Sequence, residues 1–194
     1  MQRSRPATTA SNHSQLSTLN FPPMSSSHKN LSSYDSSTLP SAEDMSFGIV
    51  VSEWNTEITH ALYEGCYETL IGHGVKEENI HTTQVPGSFE LPLGAKLLSA
   101  NKKVDALICL GCVIKGETPH NEYINRSVAS ALSQLSLVNN KPYVFGLLTP
   151  NSLEQAQDRA GGKHGNKGVE AAITAIRMAA LKKELGEAQK KIGF

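Results

Sequence analysis

The ten residues from Gly111 to His120 (GCVIKGETPH) hold the densest chemistry in the chain. A run of strand-formers, Ala106 to Val113, ends in a short glycine-containing loop, and a proline and a histidine open the next helical pattern. In an open α/β sheet, ligands bind where strands deliver their carboxyl ends to such loops. The backbone amides of Glu117 and Thr118 fall at a helix N-terminus, which favours an anion. His120 adds an imidazole, a group whose ordinary titration near neutrality suits proton transfer. The combination fits a small phosphorylated substrate and a proton transfer. Taken alone, His120 reads as a surface histidine, and only its place at a strand end makes it a candidate acid or base. The Glu117 carboxylate must turn away for its N–H to meet an anion.

Three further positions lie near predicted strand ends or glycine-rich links. Trp54, the single tryptophan, follows the first strand. It fits either a core clamp or a stacking platform for a flat heteroaromatic ring, and its βα-loop position favours stacking. In Pro86-Gly87-Ser88-Phe89-Glu90, Ser88 and Glu90 fit a helix cap and equally fit polyol recognition. Arg159 precedes a glycine-rich link. It reads as a solvent-facing arginine or as a bidentate phosphate clamp. Lys163 and Lys167 add positive charge nearby. The link, Gly161 to Gly168, lacks the phosphate-loop spacing Gly-x-x-x-x-Gly-Lys-Ser/Thr, which argues against nucleoside triphosphate chemistry.

Cys109 and Cys112 form a Cys-x-x-Cys pair, but strand side chains alternate faces with period two. Residues three apart then point to opposite sides of the sheet. With Cys66 the cysteine count is three, odd for a disulfide framework, and no second pair completes a zinc site. They read as small core residues, with no metal.

The elements that position these groups follow from hydrophobic periodicity. Phe47 to Val51 predicts a first strand, and Asn55 a helix cap. Ile58, Leu62, Cys66 and Leu70 lie four apart and predict a helix stopped at Gly72 and Gly74. Ile80 to Val85 predicts a second strand. Ser88 caps a helix carrying Leu91, Ala95 and Leu98. Val104 to Val113, almost continuously apolar, predicts a parallel strand covered on both faces. Ile124, Val128, Leu132 and Leu135 mark a long helix. Pro142 to Leu148 predicts a fourth strand. Ser152 caps a short helix to about Arg159, and Val169, Ile173, Ile176 and Ala180 mark the last helix. Such alternation predicts an α/β fold: a three-layer αβα sandwich around a four-stranded, mainly parallel sheet. The four loops after the strands, Ser52 to Asn55, Pro86 to Glu90, Lys115 to His120 and Thr149 to Ser152, then emerge at one edge.

The 194 residues predict one domain over residues 46–194 behind a tail over residues 1–45. Thirteen serines fall between Ser4 and Ser46, with four prolines and almost no apolar periodicity. Such a segment predicts disorder at least up to His28. It reads as a dispensable extension. It lacks a secretory h-region, and its acid-poor start resembles a transit peptide only faintly. Zero formal net charge gives no basic field for nucleic acid or an anionic membrane. No apolar run approaches the ~20 residues of a membrane helix. A cytoplasmic protein is expected.

Four segments together resemble the lumazine synthase family: Trp54-Asn55, Val85 to Pro92, Gly111 to Thr118 with His120, and Asp158 to Gly161 running into Gly165 to Gly168. They are in order, and the resemblance runs from about Phe47 to Leu181. It implies a flavodoxin-like fold. It also implies a condensation of 5-amino-6-(D-ribitylamino)uracil with 3,4-dihydroxy-2-butanone 4-phosphate to 6,7-dimethyl-8-ribityllumazine, a step of riboflavin biosynthesis, without cofactor or metal. By position, Trp54 matches the stacking aromatic. Ser88, Phe89 and Glu90 match the ribityl-binding segment, and Cys112, Val113 and Ile114 the pyrimidine edge. Glu117, Thr118 and Arg159 match phosphate contacts, and His120 the proton-transfer residue. Phe145 matches a ring contact supplied by a neighbouring subunit. A homopentamer is implied, with decamers or 60-subunit icosahedral shells built from it and riboflavin synthase as a further partner.

Two departures stand out. Asn121 replaces an expected aromatic residue beside His120. The serine-rich tail has no counterpart, although His28 to Met45 fits an arm packing on a neighbour. A non-catalytic flavin- or lumazine-binding module is the main rival. It would need Trp54 and the ribityl loop but not both His120 and Arg159. A flavodoxin or signalling domain shares the fold but not these motifs.

Overall fold

The computed structural model describes residues 38–191. Four strands, β1 (Phe47–Ser52), β2 (Ile80–Val85), β3 (Ala106–Cys112) and β4 (Tyr143–Leu148), form one all-parallel sheet in the order β2-β1-β3-β4. The helices between them are α1 (Thr56–Gly72), α2 (Leu91–Asn101) and α3 (His120–Asn139). After β4 come the short α4 (Leu153–Asp158), the strands β5 (Ala160–Gly162) and β6 (Gly165–Asn166), and α5 (Lys167–Lys191). This is the αβα sandwich the alternation predicts.

Strand alternation divides the core in two. Phe47, Ile49 and Val51 of β1 and Ile108 and Leu110 of β3 face α1 and α5, where they meet Leu62, Leu70 and Ile176. Val50, Leu107 and Cys109 face the other way and join Leu91, Ala95, Val128 and Leu132 of α2 and α3. Continuous burial of β1 and β3 is the physical basis of their unbroken apolar sequence. The α1 stripe Ile58, Leu62, Cys66, Leu70 is buried as its spacing predicts. Helix α5 lies against α1 so closely that Gly168 has the Leu62 carbonyl where a Cβ would stand.

Several local expectations change. Asn55 occupies the cap position of α1, but its side chain makes no capping bond. Ser88 likewise caps nothing. Ser88–Glu90 is a single 3-10 turn, and α2 starts at Leu91 with Pro92 in its first turn. β3 runs over Ala106–Cys112, shorter than residues 104–113, and just before it Asp105 exchanges hydrogen bonds with Ser46 through its backbone N–H and its carboxylate. The glycine-rich link folds as a small antiparallel hairpin, with Gly161 and Gly165 at φ 118° and 82°, values that favour glycine. Ser152 does cap α4, its Oγ accepting from Gln155 N at 3.3 Å.

Most of the predicted tail, residues 1–37, lies outside the described residues, as does the disorder expected there. Its described end packs at home: Ala42 and Met45 are buried in this chain's own core, and Ala42 N donates to His73 O. These two residues of the expected His28 to Met45 arm thus pack on their own chain. Among the described residues, no helix is long and apolar enough to cross a membrane.

Candidate active site

A cavity of about 700 Å³ opens at the carboxyl ends of β1, β2 and β3. Trp54 and Asn55 enter from the loop after β1, and Gly87, Ser88, Phe89 and Glu90 from the loop after β2. Cys112, Val113 and Ile114 come from the end of β3, and His120, Tyr123 and Ile124 from the first turns of α3. The fourth loop, Thr149 to Ser152, does not line it. It braces the third loop instead, with Pro150 O accepting from Lys115 N at 2.9 Å.

Trp54 is 73% exposed, which overturns the core-clamp alternative. Phe89 is 58% exposed on the same cavity. Two large open aromatics on a concave surface mark a binding site more than a folding core. Gly87 makes room between Trp54 and Glu90. A Cβ there would meet Glu90 Oε2 at 2.9 Å and Trp54 Cδ1 at 3.6 Å. The glycine thus lets a carboxylate stand beside the indole edge.

Ser88 lines the cavity, but its side chain packs inward. It is buried, with its Oγ 3.4 Å from Ser52 Oγ and close over Gly111. The hydroxyl is turned toward the sheet. Cys112 forms part of the wall, and burial pushes its thiol up to about 11, so it offers an apolar surface at neutral pH.

His120 is the first residue of α3 and is exposed. Glu117 and Thr118 lie in the exposed loop joining the Ile114 wall to His120. The N–H groups of Gly116, Glu117 and Thr118 meet no acceptor among the described residues. Free amides at the start of a 20-residue helix are the electrostatic elements of an anion site.

Two predicted site residues stand apart. Phe145 lies on the edge strand β4, in register with Cys109 and 37% exposed. Arg159 is exposed after α4, its carbonyl accepting from Lys167 N at 2.9 Å. Neither lines the cavity. Lys163 and Lys167, expected to add positive potential, are engaged by Asp158 at 2.9 Å and Glu170 at 2.8 Å. Conversely, Asn55, Gly87, Tyr123 and Ile124 line the cavity without having been assigned to it. Tyr123 and Ile124 carried a signal: residues three and four after His120 share its helix face.

The sequence matches the family model for 6,7-dimethyl-8-ribityllumazine synthase over residues 44–183. The chain belongs to the lumazine synthase family. A 6,7-dimethyl-8-ribityllumazine synthase of Cytophaga hutchinsonii is 57% identical over 157 residues, 81% of this chain and 98% of that protein. One of Parabacteroides distasonis is 52% identical over 80% of this chain and 97% of its own length. One of Bacteroides fragilis is 56% identical over 69% and 94%. As a lumazine synthase, the chain is an enzyme, a transferase of riboflavin biosynthesis. The rival reading as a non-catalytic module is not favoured, since these relatives bear the synthase name.

Proposed function

We propose that the cavity condenses 5-amino-6-(D-ribitylamino)uracil with 3,4-dihydroxy-2-butanone 4-phosphate into 6,7-dimethyl-8-ribityllumazine, phosphate and two waters. The observation that carries this assignment is the presence of an open indole and an exposed histidine on one cavity. Trp54 stacks on the pyrimidine, and the main chain from Cys112 to Ile114 meets its edge. Phe89 and Glu90 hold the ribityl chain, with Ser88 as part of the wall. The free amides of Glu117 and Thr118 hold the phosphate.

The 5-amino nitrogen adds to the ketone and water leaves, giving an imine. Proton loss from carbon then expels phosphate, and the ribitylamino nitrogen closes the second ring with loss of the second water. His120 carries the protons of these steps. Holding two reactants in register contributes up to roughly 7–11 kcal/mol, so positioning outweighs any single acid or base.

Phe145 and Arg159 act from a neighbouring copy. Support comes from their exposure outside this chain's own cavity and from the edge position of β4. A homopentamer supplies such a neighbour. The short link from Arg159 to Asn166 is compatible with assembly into decamers or 60-subunit shells, and riboflavin synthase is a partner for such a shell. Residues 1–45 form an extension of the catalytic domain 46–194, and the enzyme acts in the cytoplasm.

The test mixes the purified chain with both substrates. Yellow, fluorescent lumazine is the expected product. A folded sample that yields none overturns the assignment, and light scattering fixes the subunit number.

A further inference from the structure

Asn55 has an unusual backbone and an unusual side-chain partner. It lies at φ 60° and ψ 49°, one of two non-glycine residues with positive φ among the described residues. This left-handed region is costly for most side chains, and asparagine tolerates it better than most. The side chain leaves α1 uncapped and donates instead, through Nδ2, to Cys112 O at 2.9 Å. These residues are 57 positions apart, so the bond is a long-range tie.

Its place in the sheet gives the tie a purpose. Pairing of β1 with β3 ends at Val51 and Leu110. The Asn55 amide carries the junction on to the last residue of β3. On the other side, Glu53 N donates to Val85 O at 2.9 Å, fastening the same loop to β2. Trp54 stands between these two anchors. Since most of its surface is open, its own packing does little to fix it. The anchor at Glu53 is main chain alone, while the anchor at Asn55 belongs to a replaceable amide.

We infer that Asn55 is a positioning residue: its amide latches the Trp54 loop to the Cys112 carbonyl and so sets the gap between the indole and the Cys112–Ile114 wall. The inference rests on the reading of Trp54 as the pyrimidine platform. It assigns Asn55 a task at the cavity that its place before a helix would conceal. Without the latch, the loop opens and the pyrimidine substrate loses its slot.

The test uses the full chain with Asn55→Asp and Asn55→Gly. Aspartate keeps the shape and tolerates the left-handed backbone but, when ionised, cannot donate to the carbonyl. Glycine keeps the backbone freedom and removes the side chain, which preserves a measurement if one variant fails to fold. Trp54 is the only tryptophan, so acrylamide quenching in ligand-free protein reads this loop directly. Both variants are expected to be quenched more readily. The apparent KM for 5-amino-6-(D-ribitylamino)uracil rises about fivefold, the scale of one hydrogen bond, while that for the butanone phosphate stays within about twofold. Unchanged quenching in both variants overturns the latch, whatever the kinetics. Altered quenching with an unchanged pyrimidine KM overturns its role in binding. Trp54→Ala, run beside them, separates the two readings: an unchanged pyrimidine KM there removes the stacking platform itself.

Discussion

Cys109 and Cys112 stand three residues apart on β3 and pack into different cores, Cys109 with α2 and α3 and Cys112 with α1 and α5. The pleat separates them, so the Cys-x-x-Cys spacing holds no redox couple. Burial pushes their thiols up, to about 12 and about 11 respectively. A folded pKa above the unfolded one means stability that is complete below the unfolded value and lost as pH rises through the folded value. We therefore predict slow labelling of native protein by iodoacetamide at pH 8, and a stability that falls from about pH 9 upward. Rapid labelling of native protein at pH 8 would contradict the burial argument.

His120→Ala is expected to lower kcat by about 10²–10⁴, the usual contribution of a positioned acid or base, with little change in either KM. Steady-state kinetics with each substrate varied in turn gives the split. Wild-type turnover in this variant would remove His120 from the mechanism.

Arg159→Ala is expected to raise the apparent KM for the butanone phosphate by about 10-fold or more, the scale of a charge-assisted hydrogen bond, and to leave the pyrimidine KM near its original value. The two variants also test the shared site. Arg159→Ala and His120→Ala subunits, unfolded together and reassembled, should regain part of the lost activity. Some of their sites then pair an intact His120 with an intact Arg159. No recovery in verified mixed assemblies would place Arg159 in its own subunit's cavity or outside the chemistry.

The close contact of α5 with α1 gives a stability test. Gly168→Ala puts a methyl group against the Leu62 carbonyl and is expected to destabilise by about 1–3 kcal/mol. Gly186→Ala, on the same helix and meeting nothing within 4 Å, should instead stabilise by roughly 0.5–1 kcal/mol. Urea midpoints read both. Equal effects would mean that the α1–α5 contact carries no constraint.

Much of the scaffold was legible because periodicity reports burial. The four-residue spacing from Ile58 to Leu70 and the unbroken apolar run of β3 each had one physical reading, and parallel strands then put the loops at one edge. Less was legible where a polar side chain had alternatives. Asn55 and Ser88 both look like caps in sequence. One reaches 57 residues along the chain and the other turns toward the sheet, through contacts that exist only after folding. Phe145 and Arg159 lie one level further out. Neither lines the cavity that holds Trp54 and His120. Phe145 was assigned by resemblance alone, and the clamp reading of Arg159 came from its place before the glycine-rich link.

The common direction of the four strands has a consequence for how this protein tolerates change. In the four-stranded sheet, β1, β2 and β3 leave their carboxyl ends at the cavity, and all four strands leave their amino ends at the opposite edge. The turn before β4, with Asn140 at φ 45°, sits at that opposite edge and joins two elements without lining the cavity. A change in length or composition there would touch no residue of the cavity. The edge that builds the fold's return turn is thus physically separate from the edge that holds the candidate chemistry.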